Sequence, residues 1–383
     1  MLPDDQVSNL SSKLRMNISE LANPHILKQP VYKPGKPIEQ VAEEHGLPPE
    51  CICKLASNEN PLGPSLKAVE AAKVAMGQVR LYPEGGGRKL CESIASERGL
   101  DPKQIILGNG SNEIIELLGH VFLSPGDEVV IGKFSFVVYK LVAMLFGAKS
   151  IEAPMPGMAH DLDAMSALIT ERTKLVFLPS PNNPTGTTNT SEEILRFAKR
   201  LPEHVIFCLD EAYAEYLENP PDLRPLIAEG KKIVCLRTFS KIFGLAGLRI
   251  GYGYSSEEMA ALLHRARQPF NANAIAQAAA LAALEDKAWT KHCRNSNSEG
   301  ILQLQQGFET LGIDHVPSRA NFVLARVGRG EKMFEKLQKR GVIARPFGGE
   351  LSSYLRITSG TKEENDRALT ALGEIMSQEN VFC

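Results

Sequence analysis

"KIVCLRTFSKIFGLAGLRIGYG", residues 232–253, begins as a short apolar run and passes at once into Arg237, Thr238, Ser240 and Lys241, then into a glycine-rich turn. The same change of character occurs twice more. "KLVFL" at 174–178 runs into "PSPNNPTG", and "VIFCL" at 205–209 runs into "DEAY". With "QIIL" at 104–107 and "EVVI" at 128–131, these runs read as buried strands, most of them separated by segments of helical length and pattern. Such alternation predicts an α/β fold, a mostly parallel sheet covered by helices. Polar clusters that follow the C-terminal ends of parallel strands line the ligand crevice of such a sheet, so Asn183, Asp210, Tyr213 and Lys241 are expected to converge.

The remaining chain is organised around this core. Residues 1–50 are mixed and punctuated by proline ("NPHILKQPVYKPGKP") and read as an N-terminal arm with one short helix. Residues 51–285 are expected to form a large domain. Helical patterns at 256–267, 273–285 and onward through Leu311 precede "NFVLARV" (321–327), a helix near 331–340, "YLRITS" (354–359) and a closing helix after Lys362. Residues 286–383 therefore read as a smaller α+β domain joined by the arm. At 383 residues, the chain exceeds the size at which single cores stop growing, in keeping with two domains.

Composition excludes several classes of function. A net charge of -2 gives no electrostatic footprint for nucleic acid or an anionic membrane, so a small-molecule task is expected. The seven cysteines are odd in number and scattered, which points to a reducing compartment. Cys51 and Cys53 form half of a metal-site spacing, but no second pair stands at ligand distance in sequence, and no metal is expected. "MLPDDQVSNLSSKLR" lacks a basic region followed by an apolar core, and the longest apolar run, "AIAQAAALAAL" at 274–284, is too short to span a bilayer; a cytoplasmic location is expected.

The polar clusters define a chemistry. If buried without a partner between Phe239 and Phe243, the Lys241 amine would have its pKa pushed down by up to about 3–5, leaving a neutral nucleophile; with its head in water it would be an ordinary amphipathic side chain. "LGNGSNEIIELL" at 107–118 leads from a strand into a helix start near Ser111, with Gly108 and Gly110 freeing the backbone to approach an anion. It is a phosphate seat without being a dinucleotide fingerprint, because Glu113 stands where a third glycine would be; a nicotinamide dehydrogenase is excluded on that ground. An amine able to form a Schiff base, a carboxylate for a ring nitrogen, a phenol and an amide for a ring oxygen, and a phosphate cradle together describe pyridoxal 5′-phosphate (PLP). Lys241, Asp210, Tyr213 and Asn183 would fill the first roles. Ser240 and Arg249 would hold the phosphate beside the backbone of Gly110, Ser111 and Asn112, with Thr238 as a further candidate. Arg237 has no such role and is expected to make a structural contact.

"SPNNPTG", "DEAY" and "SKIFGLAGLRIGYG", in this order, resemble the fold-type I PLP-dependent aminotransferases. "KLASNENPLGPS", "GNGSNEIIELL", "SFVVYKL", "RQPFNAN" and "LRITSGTKEEN" resemble, more narrowly, the histidinol-phosphate aminotransferase family. The resemblance implies a homodimeric enzyme of histidine biosynthesis that moves nitrogen from L-histidinol phosphate to 2-oxoglutarate, with Lys241 as the Schiff-base lysine and proton shuttle. It also implies that Phe136 stacks on the pyridine and that Tyr82, in "RLYPEGGG", reaches the cofactor phosphate of the neighbouring subunit. Arg356 in "YLRITS", Arg345 in "VIARPFG", Tyr32 from the arm and Asn58 would contact substrate. An aromatic amino acid aminotransferase and a threonine-phosphate decarboxylase share this cofactor cage and remain open as alternatives. A PLP-binding transcription regulator is not expected, because no basic DNA-binding segment precedes the cage.

Overall fold

The apolar runs pair side by side as parallel strands because they are apolar on both faces, and only a sheet covered by helices on each side can bury them. The computed structural model describes residues 17–31 and 35–380. Numbered along the chain, β1 (Cys53–Lys54) stands apart from a seven-stranded sheet. That sheet comprises β2 (Ile105–Gly108), β3 (Glu128–Gly132), β4 (Lys149–Ala153), β5 (Thr173–Pro179), β6 (Ile206–Asp210), β7 (Ile233–Thr238) and β8 (Gly251–Tyr254), in the spatial order 2-8-7-6-5-3-4. All pairings among β3 to β7 are parallel, whereas β8 runs antiparallel to both β2 and β7.

Alternate residues of each strand feed two cores. On one face Val130, Val176, Leu178, Phe207, Leu209 and Cys235 meet α3 (Arg88–Arg98), α6 (Ser191–Arg200) and α8 (Ala274–Glu285). On the other, Val129, Leu175, Phe177, Cys208 and Val234 meet α4 (Ser111–Phe122), α5 (Val137–Leu145) and α7 (Glu257–Ala266). Ahead of these, after a single helical turn at Ile18–Leu21, come α1 (Ile38–His45) and α2 (Leu66–Met76), the latter packed along α8.

Toward the C-terminus, β9 (His315–Val316), β10 (Phe322–Arg326), β12 (Arg345–Pro346) and β13 (Tyr354–Thr358) make an antiparallel sheet in the order 12-13-10-9. It packs with α9 (Lys287–Thr310), α10 (Gly330–Gln338) and α11 (Lys362–Asn380). β11 (Val342–Ile343) pairs in parallel with β1, and Cys53 and Leu55 share a core with Val323, Leu355, Ile357 and Leu372. Residues 53–55, assigned above to the large domain, are thus stitched to the C-terminal elements. Val41 and Ala42 of α1 pack on Ile52 and Ile343 in the same region. α9 belongs to both cores, with Cys293 in the first and Leu304 and Phe308 in the other.

Candidate active site

Because β5, β6 and β7 are parallel neighbours, their C-terminal ends emerge together, with Pro179 in register with Asp210 and Asp210 with Leu236. The loops they feed border a cavity of about 580 Å³ between the large sheet and the C-terminal elements. Asn183, Asp210, Tyr213, Thr238, Ser240, Lys241 and Arg249 line it from one side, and Asn58, Arg345 and Arg356 from the other.

Lys241 lies just beyond β7 and donates from Nζ to the Ser57 carbonyl at 3.1 Å, with Nζ 5.6 Å from the centre of the Tyr213 ring. Burial, helped by the facing Arg356 and Arg249 guanidiniums, brings its pKa from 10.5 to about 7. The turn that follows requires glycine at 244, where φ is 69° and a Cβ would press on the backbone of Gly63 and Pro64.

Asp210, 5% exposed at the end of β6, accepts from the Tyr139 hydroxyl at 2.6 Å through Oδ2 and from the Ala212 N–H at 3.1 Å through Oδ1. Burial raises its pKa, and those two hydrogen bonds oppose the rise by favouring the charged form. Tyr139 is itself fully buried, stacked on Phe177 at 4.6 Å between ring centres. It is the functional neighbour that the sequence reading missed. In sequence it stands three residues after Phe136, inside the apolar helix α5, where a tyrosine reads as ordinary core.

Tyr213 accepts from the Asn58 side-chain amide at 2.8 Å, and burial pushes its phenol up to about 12. Asn58 adopts a left-handed φ of 55°, a conformation asparagine tolerates better than most residues. Its N–H donates to Thr358 Oγ1 at 3.0 Å, and its Oδ1 accepts from the same hydroxyl at 3.2 Å. Arg356, 8% exposed on β13, donates to Asn183 Oδ1 and to the Ala56 carbonyl, each at 2.5 Å, and lies 5.3 Å over the Phe322 ring. Arg345 on β12 sits directly opposite Arg356 in the antiparallel register. Two guanidiniums thus enter the cavity from adjacent strands.

The phosphate seat is built at the start of α4. Gly110 has φ 76°, and a Cβ there would strike the Arg249 guanidinium. A Cβ at Gly251 would lie 2.6 Å from the Ser111 amide nitrogen. Glycine at both positions keeps open a recess bordered by that helix start, by Ser240 and by Arg249, whose Nη1 donates to Ser240 Oγ at 3.3 Å and to the Ala246 carbonyl at 3.1 Å. Thr238 Oγ1 accepts from the Ser240 N–H at 3.1 Å. Glu113 closes the preceding loop by accepting from the Asn109 N–H at 2.5 Å and from Asn271 at 2.7 Å. A cationic recess at a helix start, a buried carboxylate, a phenol, an amide and an amine of lowered pKa around one cavity fit the groups of PLP.

The other expected residues fall as follows. Phe136 lines the cavity at the head of α5, edge-on to Tyr139 at 5.7 Å. Tyr82 lies outside the cavity lining, 82% exposed and stacked on Phe270 at 4.8 Å. Tyr32 lies outside the described residues. Arg237 makes structural contacts: its Nε and Nη2 donate to the two carboxylate oxygens of Glu211 at 3.0 and 3.1 Å, and Nη1 donates to Glu215 at 2.8 Å.

Comparison with known proteins agrees with this geometry. Residues 50–372 match the model of the family described as aminotransferase class I and II. A histidinol-phosphate aminotransferase of Akkermansia muciniphila is 46% identical over 363 residues, covering 94% of this chain and all of that protein. Another from Anaeromyxobacter sp. is 47% identical over 362 residues, covering 93% of this chain and 99% of its own length. The crystal structure of histidinol-phosphate aminotransferase from Sinorhizobium meliloti in complex with PLP superposes with a TM-score of 0.85 at 26% identity, across 93% of this chain and 98% of that one. With an unbroken likeness along nearly its whole length and a cage that fits the cofactor, the chain belongs to the histidinol-phosphate aminotransferases, PLP-dependent enzymes of the class I and II aminotransferase family.

Proposed function

We propose that this enzyme transfers the amino group of L-histidinol phosphate to 2-oxoglutarate, giving imidazole acetol phosphate and L-glutamate. Within the cavity, Lys241 Nζ would hold the cofactor covalently. Asp210 would face its ring nitrogen, Asn183 and Tyr213 its phenolic oxygen, and Phe136 one face of the ring. Gly110, Ser111, Asn112, Thr238, Ser240 and Arg249 would surround its phosphate. When bound, PLP supplies an electron sink for cleavage of the donor's Cα–H bond. The protein does the rest. Lys241 Nζ, with its pKa near 7, is suited to take the proton from Cα and return it at the cofactor's C4′. Asp210 would hold a proton on the ring nitrogen, and the Tyr139 hydrogen bond favours its charged form against the effect of burial.

The observation that carries the choice of donor is the pairing of Arg345 with Arg356 across β12 and β13 at the cavity wall. Histidinol phosphate has no α-carboxylate, so its phosphate ester is the anion for these guanidiniums. The distal carboxylate of 2-oxoglutarate would take the same place. Asn58 and Tyr32 complete the substrate side of the proposal.

The working unit is proposed to be a cytoplasmic homodimer. Tyr82 is exposed, as are the apolar residues Leu66, Val74, Met76, Val79 and Leu81 of the segment that precedes it, side chains suited to burial against a second copy. The six described cysteines are free thiols, in keeping with a reducing compartment, and no helix among the described residues is long and apolar enough to cross a membrane.

A substrate panel tests the reading. Turnover dependent on 2-oxoglutarate should show its highest kcat/KM with L-histidinol phosphate. Faster reaction with phenylalanine or tyrosine, or carbon dioxide release from threonine phosphate, would overturn it.

A further inference from the structure

Two cations of the 232–253 stretch take no part in the proposed cofactor and substrate contacts: Lys232, which meets Glu203 at the surface, and Arg237, whose surroundings are the more elaborate. It is 5% exposed and Glu211, which it grips with two parallel hydrogen bonds, is fully buried. The Tyr254 hydroxyl donates to the same carboxylate at 2.8 Å. Glu215 takes the third Arg237 bond at 2.8 Å, and Arg294 donates to the Glu215 carbonyl at 2.5 Å. Arg98, from α3, donates to the Tyr252 hydroxyl at 2.7 Å and lies 5.5 and 5.3 Å over the Tyr252 and Tyr254 rings. Glu211, Glu215, Arg237 and Arg98, with the Arg294 side chain at the Glu215 carbonyl, therefore form an ionic cluster near the C-terminal ends of β6 and β7, where β8 runs back antiparallel.

Ionic clusters of this kind are poor devices for stability, since the cost of stripping water from the charges offsets most of their attraction. Position suggests another use. Glu211 follows Asp210 directly, and its N–H donates to the Leu236 carbonyl at 3.0 Å, so whatever fixes Glu211 also fixes the peptide that carries Asp210. An uncompensated carboxylate there would raise the proton affinity of Asp210 and of any positive group held by it.

We propose that Arg237, acting with Glu211 and Glu215, is a positioning residue that cancels the charge beside Asp210 and so sets how strongly the cofactor's ring nitrogen and the Lys241 linkage hold their protons. The inference rests on the proposed placement of Asp210 at that nitrogen. Other charged or titratable groups also face these sites: Tyr139 from α5, Cys208 on β6 and Tyr213 face Asp210, while Arg356, Glu59 and Arg249 face Lys241. Cys235, Tyr252 and Tyr254 face the cluster itself.

The test uses the PLP-loaded enzyme and reads its visible absorption band against pH, together with cofactor affinity. Arg237→Gln leaves the cluster one unit more negative and should move the midpoint up by roughly 0.5–1.5 pH units; Glu215→Gln leaves it one unit more positive and should move it down by a similar amount. Arg237→Lys, which keeps the charge, should restore the midpoint. A merely structural role would loosen cofactor binding in both variants without shifts of opposite sign. Shifts of the same sign, or none, would overturn the proposal. If Arg237→Gln does not fold, Glu215→Gln decides alone, an unmoved or raised midpoint being fatal. Asp210→Asn separates the two levels. If that variant has the wild-type midpoint and affinity, the placement of Asp210 is wrong; if only Asp210→Asn differs from wild type, the role of Arg237 alone is wrong.

Discussion

With a pKa near 7, about half of the Lys241 amine is neutral at neutral pH before any cofactor arrives, because burial and two facing guanidiniums penalise the ammonium. Association of PLP with cofactor-free protein should therefore quicken as pH rises through about 7 and level off above it. A rate still climbing toward the ordinary lysine value of 10.5 would contradict the burial argument. Arg356→Met removes one of the opposing charges and should move the midpoint up. Tyr139 acts on the opposite partner. Its hydroxyl is one of two hydrogen-bond donors to Asp210, and a hydrogen bond to a charged group contributes about 1.5–3 kcal/mol. Tyr139→Phe should lower kcat roughly 10- to 100-fold with little change in KM, as steady-state kinetics on the histidinol phosphate reaction would show. Lys241, Asp210, Asn183 and Tyr213 were legible in the sequence because each follows a recognisable strand and carries a group with few structural uses there. Tyr139 was not, since a tyrosine inside an apolar helix reads as core, and only the three-dimensional fold brings its hydroxyl to Asp210.

Among elements, the strands most easily read were those buried on both faces. β5, β6 and β7 sit in the middle of the sheet, and their sequences are nearly continuous in Val, Ile, Leu, Phe and Cys. β4 escaped the reading because it lies at the sheet edge, partly exposed, with Lys149, Ser150 and Glu152 diluting the apolar pattern. β8 escaped it for a different reason. "GYGY" has too little side chain to announce a strand, yet its glycines are what let β8 pass close to the start of α4. That closeness carries a prediction. Gly251→Ala would push a methyl group against the Ser111 amide and the Gly110 carbonyl carbon, displacing the phosphate seat. Spectrophotometric titration of the cofactor-free variant with PLP should show affinity reduced at least about tenfold, a loss of about 1.4 kcal/mol or more. Retention of wild-type affinity would mean that the seat lies elsewhere. The β1–β11 pairing was equally hidden, since two-residue strands far apart in sequence leave no periodic trace.

At the scale of the whole molecule, the cavity is a junction. The large sheet contributes the proposed cofactor side, and the C-terminal sheet contributes Arg345 and Arg356. Asn58 ties the two together through Tyr213 on one side and Thr358 on the other. The α/β class and the smaller α+β unit were legible from the order of strands and helices, whereas this stitching was not, because it joins residues about 300 positions apart. A second copy is the remaining component of the account. Tyr82 is exposed on its own subunit, so a Tyr82→Phe protomer co-expressed with a Lys241→Ala protomer should yield mixed dimers with one intact site and measurable activity. Inactive mixed dimers, from variants that fold and associate, would contradict the shared site. The central claim, that the cavity at the end of β7 holds PLP on Lys241, has the most direct test of all. The purified holoenzyme should be yellow, lose its visible band on borohydride reduction, and carry the resulting adduct on Lys241 when its peptides are mapped by mass spectrometry. An adduct on any other lysine would contradict the account.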